Sequence, residues 1–188
     1  MSLSILDKAI LFATEKHAGG VRKRSKIPYI VHPLEAVSIA AGLTGDPEIL
    51  AAVVLHDVVE DTDTDIHQIE EEFGARVARL VQAESEDKMP GLPAAETWRL
   101  RKEATIQSLD SASIDEKIIV LSDKLSNMRA LYHDLQRFGV IDYEKFNQKD
   151  GAQHEWYHRS IKDKLPELSG SLAFREYGRL IDEVWGES

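Results

Sequence analysis

Apolar residues along this chain recur mostly at helical spacing. Ile5, Ala9, Phe12 and Ala13 form one stripe, which predicts an amphipathic first helix. A second helix is expected over 33–43, opened by Pro33, a residue at home in a first helical turn. Asp46-Pro47 is a cap followed by proline, a strong helix start. From Ile49 to Leu55 the chain is apolar without a break, so this helix has no polar face and belongs in the core. A buried strand is the competing reading, against which stand Pro47 and the Glu60-Asp61 end. Asp65 with Gln68 makes a capping box, Gly74 closes that short helix, and 75–82 continue helically. Met89-Pro90-Gly91 and Pro93 mark 85–95 as a loop before a helix over 96–109. Ser113 with Glu116 makes a second capping box, opening a long helix that runs to about Phe138. Helices over 153–164 and 172–185 complete the set. No internal repeat, linker, low-complexity stretch or strand hairpin is evident. The expected fold is all-α, a compact irregular bundle of about 8–10 helices, with residues 1–188 forming one domain.

Charge and composition narrow the function classes. A formal net charge of -10 disfavours a nucleic-acid polymer as partner, because a phosphate backbone needs a broad basic surface. A small phosphorylated ligand needs only a local patch. Without cysteine there is no disulfide and no thiolate metal site, so any metal must be held by His, Asp or Glu. Asp7 and Glu15 interrupt the N-terminal apolar stretch, which therefore reads as a helix and not a signal peptide. No apolar run approaches the ~20 residues that span a bilayer. The expectation is a cytoplasmic protein with no membrane partner. Nothing in the sequence reports an oligomeric state.

Polar residues break the apolar runs at three telling places. His56 and Asp57 end the most apolar helix, where burying an imidazole and a carboxylate is costly unless both are satisfied, and a divalent metal satisfies both. Four residues on, Glu60 and Asp61 return to the same side, although alone they would read as a solvated helix end. Asp123 interrupts the run Ile118-Ile119-Val120-Leu121, either as a ligand or as a partner of Lys124. His32 sits where the chain enters the second helix, a place that alone suits a capped or core histidine. Together, His32, His56, Asp57 and Asp123 offer two imidazoles and two carboxylates. A mixed nitrogen and oxygen set suits Mn²⁺, Fe²⁺, Co²⁺ or Zn²⁺. Upstream, Arg22, Lys23, Arg24 and Lys26 gather positive charge in an otherwise acidic protein, either as a solvated turn or as a grip for phosphate and purine.

The ordered set His32, LHDVVED and Asp123 resembles the HD phosphohydrolase superfamily. The segments RKRSKIPYIVHPLEAV, LHDVVEDT, IEEEFGARVARLV and LSDKLSNMRAL resemble the hydrolase domain of the RelA/SpoT family, over roughly residues 5 to 165. They are most similar to its small, hydrolase-only, Mesh1-like members, as is the stretch FNQKDGAQHEWYHRSI. The resemblance implies an HD-type helical fold and hydrolysis of guanosine tetra- and pentaphosphate, (p)ppGpp, with the 3′-pyrophosphate removed as a unit. It implies one Mn²⁺ held by His32, His56, Asp57 and Asp123, and Glu60 and Asp61 positioning and activating the attacking water. It also implies Arg22 and Lys23 on the nucleotide, with Asn127 and Tyr157 lining the nucleoside pocket; Tyr157 taken by itself reads as core packing. Two places depart from the family pattern. Ser122 stands where Ala is usual, a change expected to leave the metal unaffected. The stretch Gln82-Ala83-Glu84-Ser85-Glu86-Asp87-Lys88 differs from that of the long enzymes, which leaves the pocket there open. Competing readings are an HD phosphohydrolase acting on another nucleotide, such as NADPH or a nucleoside phosphate, and a nucleotide-binding module without catalysis. The intact carboxylate and imidazole set disfavours the second. A purely structural helical protein would leave the interrupted apolar runs unexplained.

Overall fold

The computed structural model describes residues 2–22, 26–85 and 91–187. Lys23 and Arg24 of the basic cluster, and Met89-Pro90 of the expected loop, lie outside the described residues. Ten α-helices and two short 3₁₀ turns, Tyr143–Lys145 and Pro166–Leu168, make up the described fold. The helices are α1 (Ile5–Lys16), α2 (Val31–Ala40), α3 (Pro47–Leu55), α4 (Val58–Asp61) and α5 (Ile66–Phe73), followed by α6 (Ala75–Glu84), α7 (Ala94–Ser108), α8 (Ile114–Phe138), α9 (Gly151–Asp163) and α10 (Leu172–Trp185). The all-α expectation therefore holds.

The caps explain where helices begin. Asp46 accepts from the Glu48 N–H ahead of Pro47, and capping boxes at Asp65 with Gln68 and at Ser113 with Glu116 open α5 and α8. Gly74, at φ 89°, lets the chain turn between α5 and α6 where a side chain would strain the backbone. α3 lies at the centre, packed by α1, α2, α6 and α8. Six of its nine residues are buried, as its unbroken apolar run requires, so the strand alternative is excluded. α8, the longest helix, packs on α2, α3, α6 and α10, while α9 packs on α7 and α10.

Several boundaries differ from expectation. α2 starts at Val31 and ends at Ala40, so Pro33 is its third residue and not its first. The chain leaves the helix at Ala41–Leu43 in a turn, with the Gly42 N–H donating to Ile39 O at 3.0 Å. α7 begins two residues early, because the Pro93 carbonyl accepts from the N–H groups of Glu96 and Thr97. α9 begins at Gly151, capped by Asp150. An antiparallel bridge between Val21 and Pro28, not anticipated, brings Arg22 and Tyr29 close together.

The most consequential difference is at the His-Asp pair. The helix is not continuous from Ile49 to Asp61: α3 ends at Leu55, and α4 restarts at Val58. His56 Nδ1 donates to the Val53 carbonyl at 2.7 Å, the acceptor that a continuing helix would offer the Asp57 N–H. The imidazole is thereby locked where the helix breaks.

Candidate metal centre

Three helices bring the four expected ligands together. α2 supplies His32, the α3–α4 junction supplies His56 and Asp57, and α8 supplies Asp123. His32 Nε2 lies 3.0 Å from Asp123 Oδ1 and 3.5 Å from Asp57 Oδ2. His56 Nε2 lies 3.1 Å from Asp57 Oδ2 and 3.5 Å from Asp123 Oδ1. The rings meet edge to face, with centroids 5.2 Å apart. Ligand atoms of His32, His56 and Asp57 all lie within 4.8 Å of one another. His56 Nε2 is buried with no hydrogen-bond partner, although Nδ1 is spent on Val53. An orphaned imidazole nitrogen facing two carboxylate oxygens has the donor chemistry of a divalent cation site.

The other expected residues surround this set unevenly. Glu60 is half-buried on α4, while Asp61 is exposed. Asp61 acts on the half-buried Tyr29 phenol together with Asp57, whose Oδ2 accepts from Tyr29 Oη at 2.6 Å. Arg22 donates to Asn127 Oδ1 at 3.0 Å, and Asn127 Nδ2 donates to Asp123 Oδ1 at 2.7 Å. Arg22 and Asn127 therefore stand at the edge of the centre. Tyr157 is buried on α9, with Lys124 Nζ 6.0 Å and Lys102 Nζ 4.8 Å from its ring centroid. Asp123 divides its two oxygens: Oδ1 faces the imidazoles while Oδ2 pairs closely with Lys124. Lys124 in turn pairs with Glu84 at 3.0 Å. Ser122 donates to Ile118 O within its own helix at 2.7 Å, away from these ligands. Sequence reasoning assigned no role to Tyr29 or Glu84. Tyr29 lay inside the segment that precedes His32, but Glu84 carried no local signal.

Residues 9–142 match the family model of the HD domain. The chain belongs to the HD-domain family. Within it, this HD domain is 39% identical over 133 residues to the guanosine-3′,5′-bis(diphosphate) 3′-pyrophosphohydrolase MESH1 of Danio rerio, an alignment covering 69% of this chain and 71% of the relative. It is 43% identical to the Homo sapiens MESH1 protein, over 64% of this chain and 65% of the relative. A probable GTP pyrophosphokinase of Mycobacterium leprae is 38% identical across the whole chain, which spans 24% of that longer protein. Among solved structures, a metazoan SpoT ortholog that hydrolyses ppGpp superposes with a TM-score of 0.80 at 25% identity, covering 100% of this chain and 99% of that one.

The electrostatics around this set favour positive charge. Burial raises the cost of ionising Asp57, yet His56 holds its carboxyl well below the usual carboxylate range. Burial opposes ionisation of Asp123 as well, and Lys124 outweighs it, holding that carboxyl low. Burial also disfavours a charged His56, but Asp57 lifts the imidazole well above its usual range. Burial and the neighbouring Asp57 push the Tyr29 phenol far up, so it remains a hydrogen-bond donor. Two ionised carboxylates beside a buried imidazole make a locus where positive charge is stabilised.

Proposed function

We propose that this chain is a Mn²⁺-dependent hydrolase that removes the 3′-pyrophosphate of (p)ppGpp, with residues 1–188 acting as one HD-type unit in the cytoplasm. The observation that carries the reading is the convergence of two imidazole nitrogens and two carboxylate oxygens around the orphaned His56 Nε2. The MESH1 relatives supply the substrate class. No described helix is long and apolar enough to cross a membrane.

His32, His56, Asp57 and Asp123 would hold the metal. When bound, such a metal makes hydroxide available near neutral pH and polarises a phosphoryl oxygen. The chain's own residues do the rest. Glu60 and Asp61, one turn beyond the His-Asp pair, orient the attacking water and take its proton. Tyr29 keeps Asp57 in place by donating to Oδ2. The water oxygen bonds to the phosphorus next to the ribose O3′, the P–O3′ bond breaks, the proton taken from the water passes on to O3′, and pyrophosphate leaves with GDP or GTP as the other product. Arg22 and Lys23 bind the nucleotide, while Asn127 and Tyr157 line the nucleoside side of the pocket.

A panel of ppGpp, pppGpp, NADPH and ordinary nucleotides, each assayed with Mn²⁺, tests the assignment. The expected result is pyrophosphate release from ppGpp and pppGpp. Faster release of orthophosphate from NADPH would move the protein to another nucleotide substrate.

Arg22 is expected to act in binding and not in the chemical step, because it touches Asn127 and none of the four candidate ligands. Arg22→Ala should raise KM by about 10–100-fold with kcat nearly unchanged, in line with ~1.5–3 kcal/mol for a hydrogen bond to a charged group. Steady-state kinetics checks it; a collapsed kcat at constant KM would reassign Arg22 to the transition state.

A further inference from the structure

The histidine ligand on α2 has a partner behind it that no sequence motif announces. His32 Nδ1 lies 2.8 Å from Ser126 Oγ on α8. Ser126 Oγ lies 2.7 Å from Glu35 Oε2, one turn beyond His32 on α2. Ionised Glu35 can only accept, so the single hydroxyl hydrogen of Ser126 goes to Glu35. Ser126 Oγ is then left to accept, and the proton it receives is the one on His32 Nδ1. That places the proton on Nδ1 and leaves the Nε2 lone pair toward Asp123 and Asp57. Glu35 is anchored in turn. Its Oε1 pairs with Arg129 at 3.2 Å, and Arg129 is gripped at 2.8 Å by both carboxylate oxygens of Glu176 on α10. His32 and Ser126 are buried, so neither can substitute water for the missing bond.

We propose that Ser126 and Glu35 are positioning residues for the metal centre: a carboxylate–hydroxyl–imidazole relay that fixes the tautomer and ring orientation of His32. The proposal rests on the reading of His32 as a metal ligand and deepens it. A histidine that ligates a metal needs its other nitrogen held by an acceptor. In this chain the acceptor is a serine, made a better acceptor by the carboxylate it donates to. The relay joins α2 to α8, and Arg129 carries it to α10. The geometry of the ligand thus depends on how these helices pack.

The test is Mn²⁺ titration of the full chain after chelator treatment, by calorimetry, with the melting temperature of the metal-free protein measured alongside. Ser126→Ala should weaken Mn²⁺ binding by about 10–100-fold, the usual effect of losing a partner behind a metal ligand. Glu35→Gln keeps the size but loses the charge, and should give a smaller loss in the same direction. Both variants should stay folded, since alanine favours a helix and Arg129 retains Glu176. Ser122→Ala is the control: this buried serine of the same helix donates only to Ile118 O, and its removal should leave Mn²⁺ affinity unchanged. Mn²⁺ affinity within twofold of the parent in both relay variants overturns the proposal. An equal loss in Ser122→Ala also overturns it, because the effect would then belong to the integrity of α8. A parent protein that binds no Mn²⁺ at all defeats the metal-centre reading itself, a result separable from failure of the relay alone.

Discussion

Asp57→Ala is expected to strip the protein of its divalent metal and of nearly all hydrolysis. Asp57 Oδ2 is the shared neighbour of the centre, 3.1 Å from His56 Nε2, 3.5 Å from His32 Nε2 and 2.6 Å from the Tyr29 hydroxyl. Removing it takes away one of two carboxylate charges and the Oδ2 acceptor of the half-buried Tyr29 phenol. Changes behind a ligand cost about 10–100-fold, so loss of the ligand itself should reduce kcat/KM by more than ~10²-fold. Asp57→Asn separates charge from packing. The amide oxygen can still accept from Tyr29, which preserves the fold, but the anionic ligand is gone, so metal content should still fall. Elemental analysis of protein purified without chelator, together with kcat/KM, checks both variants. Chelator treatment of the parent should abolish activity, and Mn²⁺ should restore it. Full turnover in EDTA, or a metal-replete and fully active Asp57→Asn protein, would remove the metal centre from the mechanism.

Glu60→Gln and Asp61→Asn should do the opposite to metal and the same to rate: metal retained, nucleotide still bound, kcat reduced by about 10²–10⁴-fold, the usual contribution of a positioned general base. A bound cation would supply reactivity without aiming it, and in-line attack loses about 10²-fold for an error of about 1 Å. α4 restarts directly after Asp57, so Glu60 and Asp61 project from a turn tied back to the His-Asp pair, with the Asp61 N–H donating to Asp57 O at 2.8 Å. The two positions are not equivalent. Glu60 is half-buried and Asp61 exposed, and Asp61 also acts on Tyr29, which faces Asp57. Glu60→Gln is therefore expected to show the larger loss. Measuring kcat and metal content for each variant decides the matter. Normal turnover in both would make these carboxylates solvated helix-end residues, and loss of metal would make them ligands.

Local grammar accounts for much of what could be read without the structure. The caps at Asp46, Asp65 and Ser113 depend on residues two or three positions away, so their pattern is visible in one dimension. The unbroken run from Ile49 to Leu55 required a core helix for the same reason. His56-Asp57 stood out because polar groups at the end of such a run must be satisfied by something, and His32 and Asp123 became legible only as companions of that pair. The outer residues were harder. Asp123 could be read as a ligand or as a partner of Lys124; its Oδ1 faces His32 while its Oδ2 pairs with Lys124, a division between two oxygens that the sequence does not report.

Residue types, helix periodicity and the spacing of the HD motif were thus enough to determine an all-α fold and an acidic protein, and to single out a candidate set of nitrogen and oxygen donors. The three-dimensional structure revealed the break between α3 and α4, where the His56 ring takes the carbonyl of Val53, three residues back. It alone placed Tyr29 on Asp57, 28 residues away in sequence, and Ser126 on His32, 94 residues away. The physical reason is one of range: capping and amphipathicity act within a turn or two of helix, whereas the partners of Asp57 and His32 are brought to them only when distant segments pack.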